Sequence, residues 1–168
     1  PGVVRVTYRG VVTLQPNCVY NVVWNENNWY YFNNIDSSTQ PNAHITATIN
    51  TSACTSSPTL GNNFIPYECA NNGVVTNPTT IGNTAGLTLS YALINSQTTG
   101  TTNNVSTNTP GYVPVNGVSV NATTGAITIN TNTLTAGFYT IPIEVTITSG
   151  GNPVGTIQYF SGVLIQFG

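Results

Sequence analysis

Apolar and polar residues alternate with a period of two along most of the chain. That spacing sends one set of side chains to a buried sheet face and the other to solvent. The pattern is cleanest from Phe138 to Thr148, where Tyr139, Ile141, Ile143, Val145 and Ile147 share a face. Leu87, Leu89, Tyr91 and Leu93 line one side of a second strand, and Ile45, Ala47 and Ile49 alternate with His44, Thr46, Thr48 and Asn50. Further strands are expected over 18–24, 117–120, 126–129, 154–160 and 163–167, and in the aromatic run Trp29-Tyr30-Tyr31-Phe32. Near the start, Val4, Val6 and Tyr8 face one way and Val3, Arg5, Thr7 and Arg9 the other. Gly10 permits a bend before Val11-Val12-Thr13-Leu14 resumes the extended pattern.

Turn residues punctuate these runs. Asn72-Gly73 predicts a tight turn between Tyr67 and Val74-Val75, and Gly150-Gly151-Asn152-Pro153 predicts a hairpin. The Thr/Asn-rich stretch 95–110 reads as an exposed loop. No segment carries a helical stripe. Short strands with regular turn signals predict an all-β antiparallel sandwich, with residues 1–15 as a separate N-terminal strand and residues 16–168 as one domain.

Composition changes the picture by what it lacks. The chain has 168 residues, with four acids (Glu26, Asp36, Glu68, Glu144), two arginines and no lysine. Its 29 Thr and 24 Asn take over the hydration that charge usually provides. A net charge of −2 without a basic cluster argues against nucleic acid as a partner. No apolar run reaches the length of a membrane span. Three sequons, at Asn50, Asn104 and Asn121, are candidate N-glycosylation sites, and the start at Pro1 reads as a processed product. An extracellular, cell-surface location is expected.

Cys18, Cys54 and Cys69 are an odd set, which in an exported chain suggests one bridge and one leftover thiol. Cys54–Cys69, flanking the turn-rich stretch from Ser56, is the favoured pair, and closing that loop would contribute on the order of 3 kcal/mol. Cys18–Cys69 stays open, as does a buried, unpaired Cys18.

The stretch Val118–Ile147 holds Thr123-Thr124-Gly125-Ala126-Ile127 and then Leu134-Thr135-Ala136-Gly137-Phe138-Tyr139. This resembles the C-terminal half of Ig-like or cadherin-like prokaryotic surface repeats, and the resemblance implies an Ig-like Greek-key form of the sandwich. Cadherin-type calcium sites need clustered acids, which the four carboxylates do not form in sequence, so no metal or other cofactor is expected. The near-absence of charge is also similar to self-assembling filament subunits such as archaeal thread pilins. That likeness implies that a strand donated by one copy completes the sandwich of the next.

Candidate chemistry is sparse. His44, the lone histidine, has no nucleophile elbow to serve, and the carboxylates lie in no recognisable pair, so an enzyme is not expected. Trp29 and Tyr30 are candidate sugar-stacking residues, the basis of an alternative reading as a carbohydrate-binding adhesin module. The leading reading makes the N-terminal strand an assembly element, through Val4, Arg5, Val6, Tyr8, Arg9, Val12 and Leu14; the alternative is that residues 3–14 are the first strand of their own sandwich. Burying five such apolar side chains would contribute roughly 1.5–3 kcal/mol each, offset largely by ordering the segment. The arginine face would meet Glu68 or Glu144 of a neighbouring copy. The expected partner is the chain itself, in a homopolymer.

Overall fold

The computed structural model describes residues 10–26, 33–34, 43–52, 59–60, 67–79, 81–82, 86–94 and 115–167. In chain order the strands are β1 (Val19–Glu26), β2 (Ala43–Asn50), β3 (Thr59–Leu60), β4 (Tyr67–Cys69), β5 (Val74–Asn77) and β6 (Ile81–Gly82). They continue as β7 (Leu87–Leu93), β8 (Val118–Val120), β9 (Ile127–Asn130), β10 (Gly137–Ser149) and β11 (Asn152–Gln166), with one 3-10 turn at Thr131–Thr133. The protein is all-β.

The larger sheet has the order β1-β2-β11-β10-β7, with β4 also on β11, and the smaller has the order β5-β9-β8. Strands β3 and β6 pair separately. At the centre stands the β10–β11 hairpin, 13 and 15 residues long, turned by Gly150 (φ 56) and Gly151 (φ 83). Two successive positive φ angles match the twist of the flanking strands, which is why glycine occupies both places.

Alternation along β10 does what the sequence predicts. Tyr139, Ile141, Ile143, Val145 and Ile147 are all buried. Tyr159, Val163 and Ile165 from β11, Tyr91 from β7, and Ile127 and Ile129 from β9 join the same core, with Val75, Val118 and Val120 packed against it. The two sheets therefore share one apolar interior, a sandwich, and each fully buried aliphatic contributes roughly 1.5–3 kcal/mol. Where the chain crosses from β9 to β10, the Tyr139 hydroxyl donates to the Thr135 carbonyl at 3.0 Å. This ties the crossing to the strand that follows it.

Several expectations need correction. The Asn72-Gly73 turn forms, with Asn71 (φ 60) and Gly73 (φ 82) in the left-handed region, but it joins no hairpin. Strand β4 runs parallel to β11 while β5 pairs with β9, so the turn carries the chain from one sheet to the other. The larger sheet is accordingly mixed rather than purely antiparallel. The strands expected at 154–160 and 163–167 are one continuous β11, because Ser161 and Gly162 stay in register opposite Ile141 and Thr140. Residues 10–15 belong to no strand. Alternation in β2 is muted, with Ala47, Thr48, Ile49 and Asn50 all half-buried. Among the described side chains, none of β1 or β2 is part of the shared core. The expected strands over 3–9 and 29–32 and the loop 95–110 lie outside the described residues.

The β1–β2 pair reaches the body through few rungs. Strand β2 pairs with β11 only at Gly155↔Ile49, Thr156↔Thr48 and Ile157↔Ala47. A Cβ at Gly155 would run into the Thr48 carbonyl, so glycine there is what lets β2 approach. Gly155→Val is expected to detach β2 from β11. Hydrogen exchange at Ala47–Ile49 should then accelerate while the amides of β10 keep their protection.

A second expectation concerns alkali. Burial raises the phenol of Tyr91 above 10.0, and burial also raises that of Tyr159, its hydrogen bond with Thr79 opposing and the neighbouring Tyr91 adding. The folded state thus holds these protons more tightly than the unfolded chain. Their contribution is fully present below about pH 10 and is lost as pH climbs through the raised values. Chemical denaturation midpoints should fall steeply above pH 10, and Tyr159→Phe should flatten that fall.

Candidate functional site

The N-terminal lead-in is anchored at one point and open before it. Gln15 donates its N–H to the Tyr20 hydroxyl at 2.8 Å, and its carbonyl accepts from the Thr51 hydroxyl at 2.8 Å. Thr51 also holds Cys18: its hydroxyl accepts the Cys18 N–H at 2.9 Å, and its own N–H donates to the Cys18 carbonyl at 2.9 Å. Upstream of this knot, Val11 is 100% exposed and Val12 77%. Of the expected assembly residues, Val12 is exposed and Leu14 half-buried, both outside any strand. Val4, Arg5, Val6, Tyr8 and Arg9 lie outside the described residues.

Large exposed apolar side chains among the described residues fall in two groups. Val11, Val12, Val19 and Val22 belong to the lead-in and β1. Tyr67, Val74 and Phe167 gather where β4, the start of β5 and the end of β11 meet. Strand β11 rises about 3.3 Å per residue, so Gly155, which carries β2, and Gln166, which carries Cys69, stand roughly 36 Å apart. The two groups thus mark opposite ends of the larger sheet.

The expected acidic partners are placed differently from each other. Glu144 accepts a hydrogen bond from Gln158 at 2.8 Å, its direct neighbour across the β10–β11 ladder. Glu68 lies half-buried on β4, at the Tyr67 end. Only Glu68 stands beside an exposed apolar group.

One pair of residues in the site escaped the sequence reading. Strand β7 pairs with β10 only from Ile143 onward, which leaves the 138–142 edge of β10 to other partners. Ile94 N–H donates to the Pro142 carbonyl at 3.1 Å and Asn33 N–H to the Phe138 carbonyl at 2.7 Å. Between them the Asn34 side chain stands in for a strand. Its Nδ2 donates to the Thr140 carbonyl at 2.8 Å and its Oδ1 accepts the Thr140 N–H at 3.0 Å. Asn34 is only 7% exposed. Nothing in the local sequence marks it, because Asn33 and Asn34 are two of many asparagines in polar runs.

Two sequons are described, and each has structural work for its amide oxygen. Asn121 is exposed, and its Oδ1 accepts from the N–H groups of Thr123 and Thr124, both at 2.9 Å, shaping the β8–β9 turn. Asn50 is half-buried at the end of β2, and its Oδ1 takes the Ser52 N–H at 3.1 Å and the Ser52 hydroxyl. Of the two, Asn121 is the more accessible to a glycan. Asn104, Trp29 and Tyr30 lie outside the described residues.

Cys18 and Cys69 are both free and exposed, which removes the buried reading of Cys18. Cys54, and with it the expected Cys54–Cys69 bridge, lies outside the described residues. Cys69 sits opposite Gln166, whereas Ile49 sits opposite Gly155 at the far end. Cys18, hydrogen-bonded to Thr51, lies at the Gly155 end of β11 and is not paired with Cys69.

Among the described residues no cluster of His, Cys, Asp and Glu suited to a metal is found, and no helix is long and apolar enough to cross a membrane. No protein-family model, curated protein or solved structure matches the chain.

Asn34→Ala is expected to cost about 2–4 kcal/mol, because it strands a buried N–H and a buried carbonyl of Thr140 together. Urea denaturation checks this. Asn34→Asp should recover only part of the loss, since a carboxylate accepts the N–H but cannot donate to the carbonyl.

Proposed function

We propose that the chain is a structural subunit of an extracellular filament, self-assembling by strand addition and serving adhesion or cohesion at a cell surface. The carrying observation is the lead-in at residues 10–15. It is tethered at Gln15, joins no ladder among the described residues, and holds Val11 and Val12 out in solvent. An extended apolar segment of this kind is suited to adding itself to a sheet edge or lying in an apolar groove. Strand β1 offers an edge, since among the described residues it pairs on one side only, with β2.

The placement of exposed apolar groups at opposite ends of the sheet supports a head-to-tail contact. Such a contact is heterologous, and unless its rotation closes a ring it propagates into a fibre. Sparse charge removes most of the repulsion that would oppose stacking of identical copies. Glycans on the sequons, Asn121 above all, would then keep neighbouring fibres apart.

We infer further that the body is Ig-like. The orders β5-β9-β8 and β11-β10-β7 correspond to strands B-E-D and G-F-C of that fold. The Tyr139-to-Thr135 bond corresponds to its tyrosine corner. This fold is a common frame for surface modules, and the functional reading rests on the lead-in rather than on the fold.

The test is deletion of residues 1–14. Intact protein should form regular fibres by electron microscopy, and the truncated protein should sediment as a monomer with an unchanged far-UV spectrum. Fibres formed equally well by the truncated protein would overturn the proposal.

A further inference from the structure

We propose that Asn116 is a site of spontaneous deamidation, at which the Gly117 nitrogen closes on the Asn116 side chain, while the same dipeptide at Asn72-Gly73 is protected by its hydrogen bonds.

Asn-Gly occurs twice in the chain, at 72–73 and at 116–117, each time followed by valine. The fold brings both copies against one element, the 3-10 turn Thr131–Thr133. On the β5 side the Thr131 N–H donates to the Gly73 carbonyl at 2.8 Å. On the β8 side the Asn130 N–H donates to the Gly117 carbonyl at 2.9 Å, and the Thr133 hydroxyl donates to the Asn116 carbonyl at 3.0 Å. Both dipeptides are thus held by their carbonyls.

They differ in what becomes of their own N–H groups. Asn72 donates its N–H to the Thr131 hydroxyl at 2.9 Å, and Gly73 donates its N–H to the Asn132 Oδ1 at 3.2 Å. Neither Asn116 nor Gly117 donates its N–H to any group among the described residues, and both residues are exposed. Glycine at 117 is fixed by the fold, since its φ is 76 and a Cβ there would stand 2.6 Å from the Thr133 Oγ1. The same lack of a side chain leaves the Gly117 nitrogen unshielded beside the Asn116 amide.

The reaction needs no partner but water. The Gly117 nitrogen gives up its proton and bonds to the Asn116 side-chain carbonyl carbon, and the side-chain nitrogen leaves as ammonia, closing a five-membered succinimide. Water then opens either ring carbonyl, which yields aspartate or, with the backbone rerouted through the side chain, isoaspartate. One water is consumed and one ammonia released, with no change of oxidation state. A nitrogen whose N–H is already donated must first give up that bond. This slows Asn72 roughly tenfold, the factor equivalent to about 1.4 kcal/mol and within the net range of one hydrogen bond. The product adds a carboxylate to a chain of net charge −2. As isoaspartate it also lengthens the backbone just ahead of β8, a three-residue strand that pairs only with β9 among the described residues.

The experiment incubates the folded full chain in mildly alkaline buffer made with heavy-oxygen water, then locates the incorporated oxygen by chymotryptic digestion and tandem mass spectrometry. Asn116 should convert about tenfold faster than Asn72 in the folded protein, and the two rates should converge in urea, where both lose their contacts. No conversion at Asn116, a rate at Asn72 as fast or faster, or a difference that persists in urea would overturn the proposal. Asn132→Ala removes the acceptor of the Gly73 N–H and should bring Asn72 toward the rate of Asn116. An unchanged rate at Asn72 in that variant would refute the hydrogen bond as the source of protection.

Discussion

The pairing of β10 with β11 is the interaction on which the rest of the molecule hangs. Strand β7 attaches to β10, β2 and β4 both attach to β11, and among the described residues no other strand links the two sides of the larger sheet. A 15-residue strand is roughly 50 Å long, far more than one small sandwich needs. The extra length lets β11 do two jobs on the same outer edge. Near its start it receives β2, and near its end it receives β4 running the opposite way. The two-glycine turn sets the register of the hairpin, and a slip of one residue would turn Ile141, Ile143 and Val145 out of the core.

From that hairpin the molecule divides by how its parts are stabilised. Among the described apolar side chains, those from β4 onward supply the core, whose central aliphatics have essentially no exposed surface. The β1–β2 ladder is held by backbone bonds, by its few rungs on β11 and by the Thr51 knot. Cooperative units with few buried apolar contacts open at lower free energy than the core does. In the proposed assembly, an element that presents an edge and a lead-in to other molecules belongs at this end of the scale. It must stay ordered enough to hold a register and loose enough to rearrange on contact.

What could be read from sequence follows this division. Tyr139 to Ile147, and Leu87 to Leu93, were legible because one face meets an apolar layer and the other does not. In β2 the same alternation is present in sequence, yet Thr48 and Asn50 end as half-buried as Ala47 and Ile49, and none of the four is among the described residues of the shared core. The turn at Asn72-Gly73 was legible as a turn, but its partners were not, because turn chemistry reports a reversal and says nothing about which sheet receives the chain. Asn34 was invisible for a different reason. Its role depends on an unpaired stretch of β10 more than 100 positions away, and a side-chain amide that completes a distant ladder leaves no periodic trace.

Scarcity of charge acts on all of this at once. Proteins usually guard sheet edges with lysine, inward-pointing charge or proline, and this chain has no lysine at all and two arginines, both before residue 10. Threonine and asparagine hydrate the surface without making identical copies repel, so contact between copies is opposed mainly by the entropy of association. Discrimination must then come from shape and register, because there is little charge to supply it. A long, rigid β11 meets that need: it fixes the distance between the Val19 edge and the Tyr67–Phe167 end. Any contact using both ends must match that single spacing, whereas a surface of scattered apolar residues would admit many alignments.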